Sequence, residues 1–449
     1  MATPDEFTGP TTELLQSLIR NRCVNDGTPD SGEETRNSDL LTGYLEGAGL
    51  EVERFTPRAG RDSMVARIEG SDPDAPSLCL MGHTDVVPVN PDGWRHDPFA
   101  GEVIDGEVWG RGAIDMLNLT SSMAVAFKRL ASEGFQPKGD LIYFGVADEE
   151  AGGVWGAEWM ADHHWDAIEA DYVLTELGGW SSVGNDGSRS VTVNVGEKGL
   201  AWRRLRVTGT PGHGSMPFGS DNALVKAAEI VRRIAAYRPA AHIDDLWTAQ
   251  VDAMALPDEL RAALKSPEHI WETLEDLPVA VARTCHAHTH TTFSPNVVHG
   301  GQKTNTIPDA VDIDVDIRTV PGTAPEDVDR HLRDALGDLY DQVEFSVLQH
   351  SDPTRSEFGP GNQLWDTLTT HTQVAYPDAT LIPGLIVGGT DARFYRSRGK
   401  VAYGAGLFSP DMDFASFGTR FHGNDERIDT ASLGLSANFF YGIARELLS

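Results

Sequence analysis

The chain has 449 residues, 40% of them apolar and 23% charged, which supports more than one core and excludes a disulfide miniprotein or a disordered segment. Lys and Arg number 36 against 68 Asp and Glu, a net charge of −32. A field of that sign repels phosphate backbones and anionic lipid, so no nucleic-acid or membrane partner is expected.

In chain order, residues 1–10 are polar and acidic, without the apolar core of a signal peptide. Leu14, Leu15, Leu18 and Ile19 mark the inner face of a first helix. Leu40, Leu41, Tyr44 and Leu45 mark a second, stopped by glycines 47 and 49. Residues 77–81 form a short apolar run ending at a glycine, as buried strands do. Asn118 is placed to cap a helix through Met123, Val125, Ala126 and Leu130, stopped by Gly134. Residues 141–147 and 172–175 are two further buried strands. Strand and helix in alternation predict an α/β fold with a mostly parallel sheet covered by helices. Beyond residue 196 the pattern changes. Val311, Ile313, Val315 and Ile317 alternate with Asp312, Asp314, Asp316 and Arg318, the mark of an antiparallel sheet with one wet face. Helices are expected over 223–236 and from Pro325, with a helical excursion over 238–280. A smaller α+β domain, residues 196–352, is thus inserted between a first part at 1–195 and a second at 353–449. The second part closes with an amphipathic helix capped by Thr430. Cys23, Cys79 and Cys285 are too widely spaced for a disulfide framework or a thiolate zinc site, and no apolar run reaches the ~18 residues of a membrane span. A reducing, cytoplasmic setting is the expectation.

The chemistry-bearing residues follow the strands, on the carboxyl edge where open α/β sheets place their sites. His83 and Asp85 follow the strand at 77–81, Asp115 follows Gly110-Arg111-Gly112-Ala113-Ile114, Glu149 and Glu150 follow 141–147, Glu176 follows 172–175, and His422 precedes the last helix. Taken singly each has a plain alternative: a hydrogen-bonded turn for His83 and Asp85, a solvated acidic loop for 148–150. Taken together they are two imidazoles and several carboxylates, a donor set suited to Zn, Co or Mn. The set exceeds what one tetrahedral ion requires and suits two ions sharing a carboxylate, with one of Glu149 and Glu150 a base and the other a ligand. No Walker pattern and no H-E-x-x-H helix is present.

The segments GHTDVVP (82–88), GRGAIDM (110–116), ADEE (147–150), Glu176, GHGSMP (212–217), KTNTIPDA (303–310), DIRTVPG (316–322), GGTDARF (388–394) and FHGNDERI (421–428) stand in an order that resembles the co-catalytic di-zinc metallopeptidases and deacylases. That family includes aminoacylase, carboxypeptidase G, acetylornithine deacetylase and succinyl-diaminopimelate desuccinylase. The resemblance implies a zinc exopeptidase-like fold with an inserted lid and dimerisation domain, two divalent ions and a homodimer. It implies that His83 and Glu176 complete one metal site and Glu150 and His422 the other, with Asp115 bridging. It further implies that Asp85 orients His83, Glu149 is the general base, and His213 stabilises the oxyanion. Asn305 and Arg318, with Arg393 as a further candidate, match positions that grip a substrate carboxylate. The activity implied is cleavage of a peptide or N-acyl amide bond beside a free carboxylate. The alternatives are hydrolysis of a non-peptide amide or carbamate on the same site, or a metal-binding scaffold without turnover. The chain departs from the family at Leu117-Asn118, where Lys-Gly is usual, and at Asp425, where Asn is commoner.

Overall fold

The computed structural model describes residues 3–46, 48–184, 187–254, 256–412 and 414–449. It divides into two units, one of Met1–Val195, Ser356–Gly384 and Thr390–Ser449, the other of Gly196–Arg355 and Leu385–Gly389.

The first unit is built on a twisted sheet whose centre is parallel: Leu141–Val146, Leu78–His83, Tyr172–Thr175 and Val401–Gly404 lie side by side in that order. Arg61–Ile68 and then Val52–Arg58 extend one side antiparallel, and Arg189–Glu197 pairs antiparallel beside Val401–Gly404 on the other. Leu78–His83 and Leu141–Val146 are buried at every residue, as expected of parallel strands covered on both faces. Cys79, Met81, Ile142, Phe144 and Val173 pack with Met160 and Tyr395 in one apolar cluster. Helices Pro4–Arg20, Leu117–Ser132 and Thr430–Leu447 pack on one another. The second helix, Thr35–Glu46, ends before Gly49, whose φ is +77°; Gly47 lies outside the described residues. No helix among the described residues is long and apolar enough to cross a membrane.

The second unit holds an antiparallel four-stranded sheet in the order Thr292–Gly300, Ala310–Thr319, Gly199–Thr208, Val343–Ser351. The alternation in Ala310–Thr319 is realised residue by residue: Val311, Ile313, Val315 and Ile317 are buried while the aspartates and Arg318 are half-buried. Helices Ala223–Ala236 and Pro325–Leu336 cover its apolar face through Ile230, Ile234, Val328 and Leu332. The helical excursion comprises Asp245–Ala253, Asp258–Leu264, Ile270–Asp276 and Val279–Thr289, closed around Trp247, Val251, Leu264 and Cys285.

Two helix caps differ from expectation. Helix Leu117–Ser132 is preceded by Met116, so Asn118 lies inside the first turn, buried, with neither amide atom hydrogen-bonded. The chain must leave Asp115 in a fixed orientation, and that constraint overrides the capping preference of Asn118. The last helix is capped by Asp429 instead of Thr430. Its carboxylate accepts from the Ser432 backbone N–H at 2.8 Å and the Ser432 hydroxyl at 2.6 Å, and its charge suits a helix N-terminus.

Candidate metal centre

Three strand ends and two loops of the first unit deliver the site. His83 is the last residue of its strand, with its backbone carbonyl accepting from the Thr120 hydroxyl at 2.8 Å. The strand and helix Leu117–Ser132 approach so closely that a Cβ on Gly82 would lie 2.5 Å from Thr120 Oγ1. The strand Leu141–Val146 turns at Asp148, φ +67°, into the single 3-10 turn Glu149–Ala151. Leu177, which follows Glu176, and His422 itself also adopt left-handed conformations, φ +62° and +54°. Such backbone is uncommon outside glycine and concentrates at functional turns.

Two ligand-like triads result, His83 with Asp115 and Glu176, and Asp115 with Glu150 and His422. Within each, one donor atom per residue lies within 4.8 Å of the others. Asp115 belongs to both and offers a different oxygen to each: Oδ1 is 3.1 Å from His83 Nε2, and Oδ2 is 2.7 Å from His422 Nε2. Glu176 Oε2 is 3.7 Å from His83 Nε2 and Glu150 Oε2 is 3.4 Å from His422 Nε2. Glu149 is in neither triad, yet its Oε2 is 4.0 Å from His83 Nε2. His83 Nδ1 is 3.0 Å from the Asp85 backbone carbonyl and 3.5 Å from its carboxylate. An Nδ1–H donated there leaves Nε2 as the ligating atom.

These groups strain against one another electrostatically. Burial and then the Glu176 charge push Glu149 well above the usual carboxylate range. Burial and Asp115 push Glu176 up to about 8 and Glu150 up to about 7. Burial acts on Asp115 in the same sense, but the imidazoles of His422 and His83 hold it below its ordinary value. Burial opposes charge on His422, and Asp115 and Glu150 nonetheless raise it to about 10. Glu150 Oε1 is buried without a hydrogen-bond partner. A cluster of hard oxygen and imidazole donors short of positive charge fits divalent cations.

A layer of residues that the sequence did not single out holds these side chains in place. Asn25 Nδ2 donates to Asp85 Oδ2 at 2.8 Å and to Asp148 Oδ1 at 3.1 Å. Asp85 Oδ2 also accepts from the Glu150 backbone N–H at 3.1 Å, so Asp85 tethers both ligand-bearing arms. Buried Arg61 pairs with Glu34 at 2.6 Å and with Asp148 at 3.4 Å. Glu426 accepts from the backbone N–H groups of Ile114 at 2.6 Å and Asp115 at 3.1 Å, and its other oxygen pairs with Arg111 at 2.5 Å. Asp425 binds the backbone and guanidinium of Arg95 at 2.8 and 2.6 Å, so this departure anchors the His422 loop. Phe421 stacks on His422 with ring centroids 4.4 Å apart, in an aromatic row that continues through Phe417 to Trp180. Glu426 lay four residues beyond His422 in a quoted motif; Asn25, Glu34 and Arg61 carried no pattern.

The remaining expected site residues fall in two places. In the second unit, Gly212–His213 forms a two-residue ladder with Thr306–Ile307, and the Gly214 N–H donates to Asn305 O at 2.8 Å. His213 and Asn305 are therefore neighbours. The His213 ring is exposed, its Nδ1 2.7 Å from the Ser215 hydroxyl. Arg318 is held at Nε by Asp316, two residues away on its own strand, at 2.8 Å, and lies over the Trp202 ring. In the first unit, Arg393 donates to the carbonyls of Thr390 and Gly152 at 2.8 and 2.7 Å.

Comparison with known proteins places the chain in a family. A profile of peptidase family M20/M25/M40 matches residues 79–446. Aminoacylase-1 of Mus musculus is 26% identical over 414 residues, 91% of this chain and 89% of its own length. An M20 family metallo-carboxypeptidase of Sulfolobus solfataricus superposes with a TM-score of 0.71 at 17% identity, covering 97% of this chain and 99% of its own. A dinuclear metal-binding M20 peptidase of Bacillus subtilis does so with a TM-score of 0.63 at 13% identity, covering 98% of each chain. The chain belongs to peptidase family M20/M25/M40 and is a metal-dependent hydrolase of peptide or acyl-amino-acid bonds.

Proposed function

We propose that the chain is a two-metal hydrolase that cleaves a peptide or N-acyl amide bond beside a free carboxylate and releases an amino acid. The observation that carries this reading is the position of Glu149, half-buried with its carboxylate 4.0 Å from His83 Nε2, beside two triads that share Asp115 and outside both. His83, Asp115 and Glu176 would hold one divalent ion and Asp115, Glu150 and His422 a second. Zinc suits the set best, with cobalt or manganese as substitutes. Such ions, when bound, supply Lewis acidity and lower the pKa of water towards 7.

The chain's own groups do the rest. Glu149 accepts a proton from the attacking water and returns it to the leaving nitrogen, a task suited to a carboxylate whose proton affinity burial has raised. Asp85 fixes the imidazole of His83 and the backbone of Glu150. His213 donates to the developing oxyanion. Asn305 and Arg318 hold the substrate carboxylate, with Asp316 orienting the guanidinium by its Nε edge and Nη1 left for the substrate. A cationic anchor of this kind offsets the unfavourable field of a chain of charge −32. The second unit serves as lid and dimerisation domain, the enzyme works as a homodimer in the cytoplasm, and its partner is a small carboxylate-bearing substrate, neither nucleic acid nor membrane.

The test is a panel of N-acyl amino acids, dipeptides and carbamates, assayed before and after chelation and again after zinc is restored. Chelator-sensitive, zinc-restored release of an amino acid from the first two classes is expected. Turnover of carbamates alone, or none with any of the three metals, would contradict the reading.

A further inference from the structure

Arg393 stands at the start of the short helix Ala392–Arg396, and its guanidinium is committed to the protein. Nη1 donates to Thr390 O at 2.8 Å, Nη2 donates to Gly152 O at 2.7 Å, and the carbon lies 4.5 Å from the centre of the Phe394 ring. The first bond closes the arginine on its own turn. The second spans 241 residues of sequence and lands on the segment that carries the base. Gly152 closes the turn Glu149–Ala151, and its own N–H donates to Glu149 O at 2.8 Å. Arg393 and Glu149 are therefore two hydrogen bonds apart.

The packing around that strap is tight. A Cβ on Gly153 would meet Asp391 Oδ1 at 2.6 Å and the Phe394 ring at 3.2 Å. Asp391 is buried, and neither of its oxygens has a hydrogen-bond partner. Burial raises its carboxyl to about 7, and Arg393 is the first cation that opposes that rise. The other end of the turn is held independently, at Asp148, by Asn25 at 3.1 Å and by the Trp155 N–H at 2.9 Å. A turn clamped at both ends delivers two consecutive carboxylates to different tasks, Glu149 as base and Glu150 as ligand.

We propose that Arg393 is a positioning residue for Glu149, holding the base-bearing turn by the Gly152 carbonyl and balancing Asp391 behind it, and that it does not grip the substrate carboxylate. This rests on the reading of Glu149 as the base. A displacement of ~1 Å at a catalytic group is enough to lower turnover by about 100-fold. A lost strap therefore acts on kcat, whereas a lost carboxylate anchor acts on KM.

The experiment uses the metal-loaded full chain with Arg393→Met and Arg393→Lys, Glu149→Gln as comparator, and an N-acyl amino acid alongside its carboxamide. For Arg393→Met we expect kcat to fall by about 10- to 100-fold, KM for the carboxylate substrate to stay within about two-fold, and lysine to restore part of the loss. Hydrogen exchange of the peptide spanning 148–155 should quicken in Arg393→Met and stay unchanged elsewhere in the first unit. A KM that rises for the carboxylate substrate but not for its amide, with kcat kept, overturns the proposal. So does unchanged exchange at 148–155, a readout that needs no turnover. If Glu149→Gln keeps its activity, the base assignment fails, and the exchange measurement still decides whether the strap exists. If Arg393→Met does not fold, Arg393→Lys carries both readouts.

Discussion

In the first unit the buried titratable groups are mostly acids: Glu34, Asp85, Asp115, Asp148, Glu176 and Asp391 are all nearly inaccessible. In the second they are mixed, with Lys198, Arg203 and His290 buried beside Glu197. Lys198 is buried with its amine donating to the carbonyls of Ala287 and His290 at 2.8 and 2.7 Å, and buried His290 stacks on His286 with ring centroids 4.7 Å apart. On the wet face of the second unit's sheet, two aspartates of strand Ala310–Thr319 pair across strands: Arg204 with Asp314 at 2.6 Å and Arg206 with Asp312 at 3.3 Å. The second arrangement is how a sheet normally carries charge, since exposed pairs cost little and contribute little. The first is costly to fold, because several like charges resist ionisation in a small volume. A fold retains such a cluster where something else supplies the missing positive charge, and here the donor geometry fits divalent cations. The contrast separates a working site from a scaffold without reference to any motif.

The comparison is broken most sharply at the base. Glu149→Gln keeps the shape of the turn and removes a proton acceptor, so turnover should fall by about 10²- to 10⁴-fold with metal content unchanged. Retained activity would remove Glu149 from the mechanism. Next in size is Glu426, which holds two backbone N–H groups and Arg111 without touching a metal-ligating atom. Glu426→Ala leaves a buried guanidinium uncompensated, so stability should drop by roughly 3–5 kcal/mol and metal affinity by about 10- to 100-fold. Thermal unfolding with chelator competition reads both, and a neutral result would show that Asp115 is oriented by other means.

An acid titration probes the bases of the second unit. Burial pushes His288 down to about 4 and His290 to about 3 from an ordinary 6.5. Between those limits the unfolded chain binds more protons than the folded one, so stability rises with pH and falls as pH drops from 6.5 towards 4. His288→Gln should flatten that limb in a series of melting curves; an unchanged slope would assign it elsewhere. The smallest effect belongs to the wet face, where Arg204→Ala should leave the melting temperature nearly unchanged. A marked fall would mean that this face is covered.

Much of the fold was legible because its signals are local. The buried strands announce themselves as short apolar runs, and the alternation in Ala310–Thr319 fixes which residues face the core. The positions of His83, Glu149, Glu150 and Glu176 follow from the same signals, since each stands where a buried strand ends. The supporting layer was not legible. Asn25 reaches Asp85 and Asp148 from an irregular segment 60 and 123 residues away, and no periodicity marks such a partner. The cap at Asn118 failed because tertiary contacts around Asp115 set where that helix begins. Arg393 stood inside a quoted segment, but only its hydrogen bond to Gly152 connects it to the base.

The central claim is that the acid-rich centre holds two divalent ions through a shared Asp115. Its most direct test is zinc stoichiometry by equilibrium titration of the chelated chain, with His83→Ala and Asp115→Asn in parallel. About two ions per chain for the unaltered protein, one for His83→Ala and fewer than one tight site for Asp115→Asn are predicted from the sharing of that carboxylate. A single ion in the unaltered chain, or two ions that survive Asp115→Asn, would contradict the account.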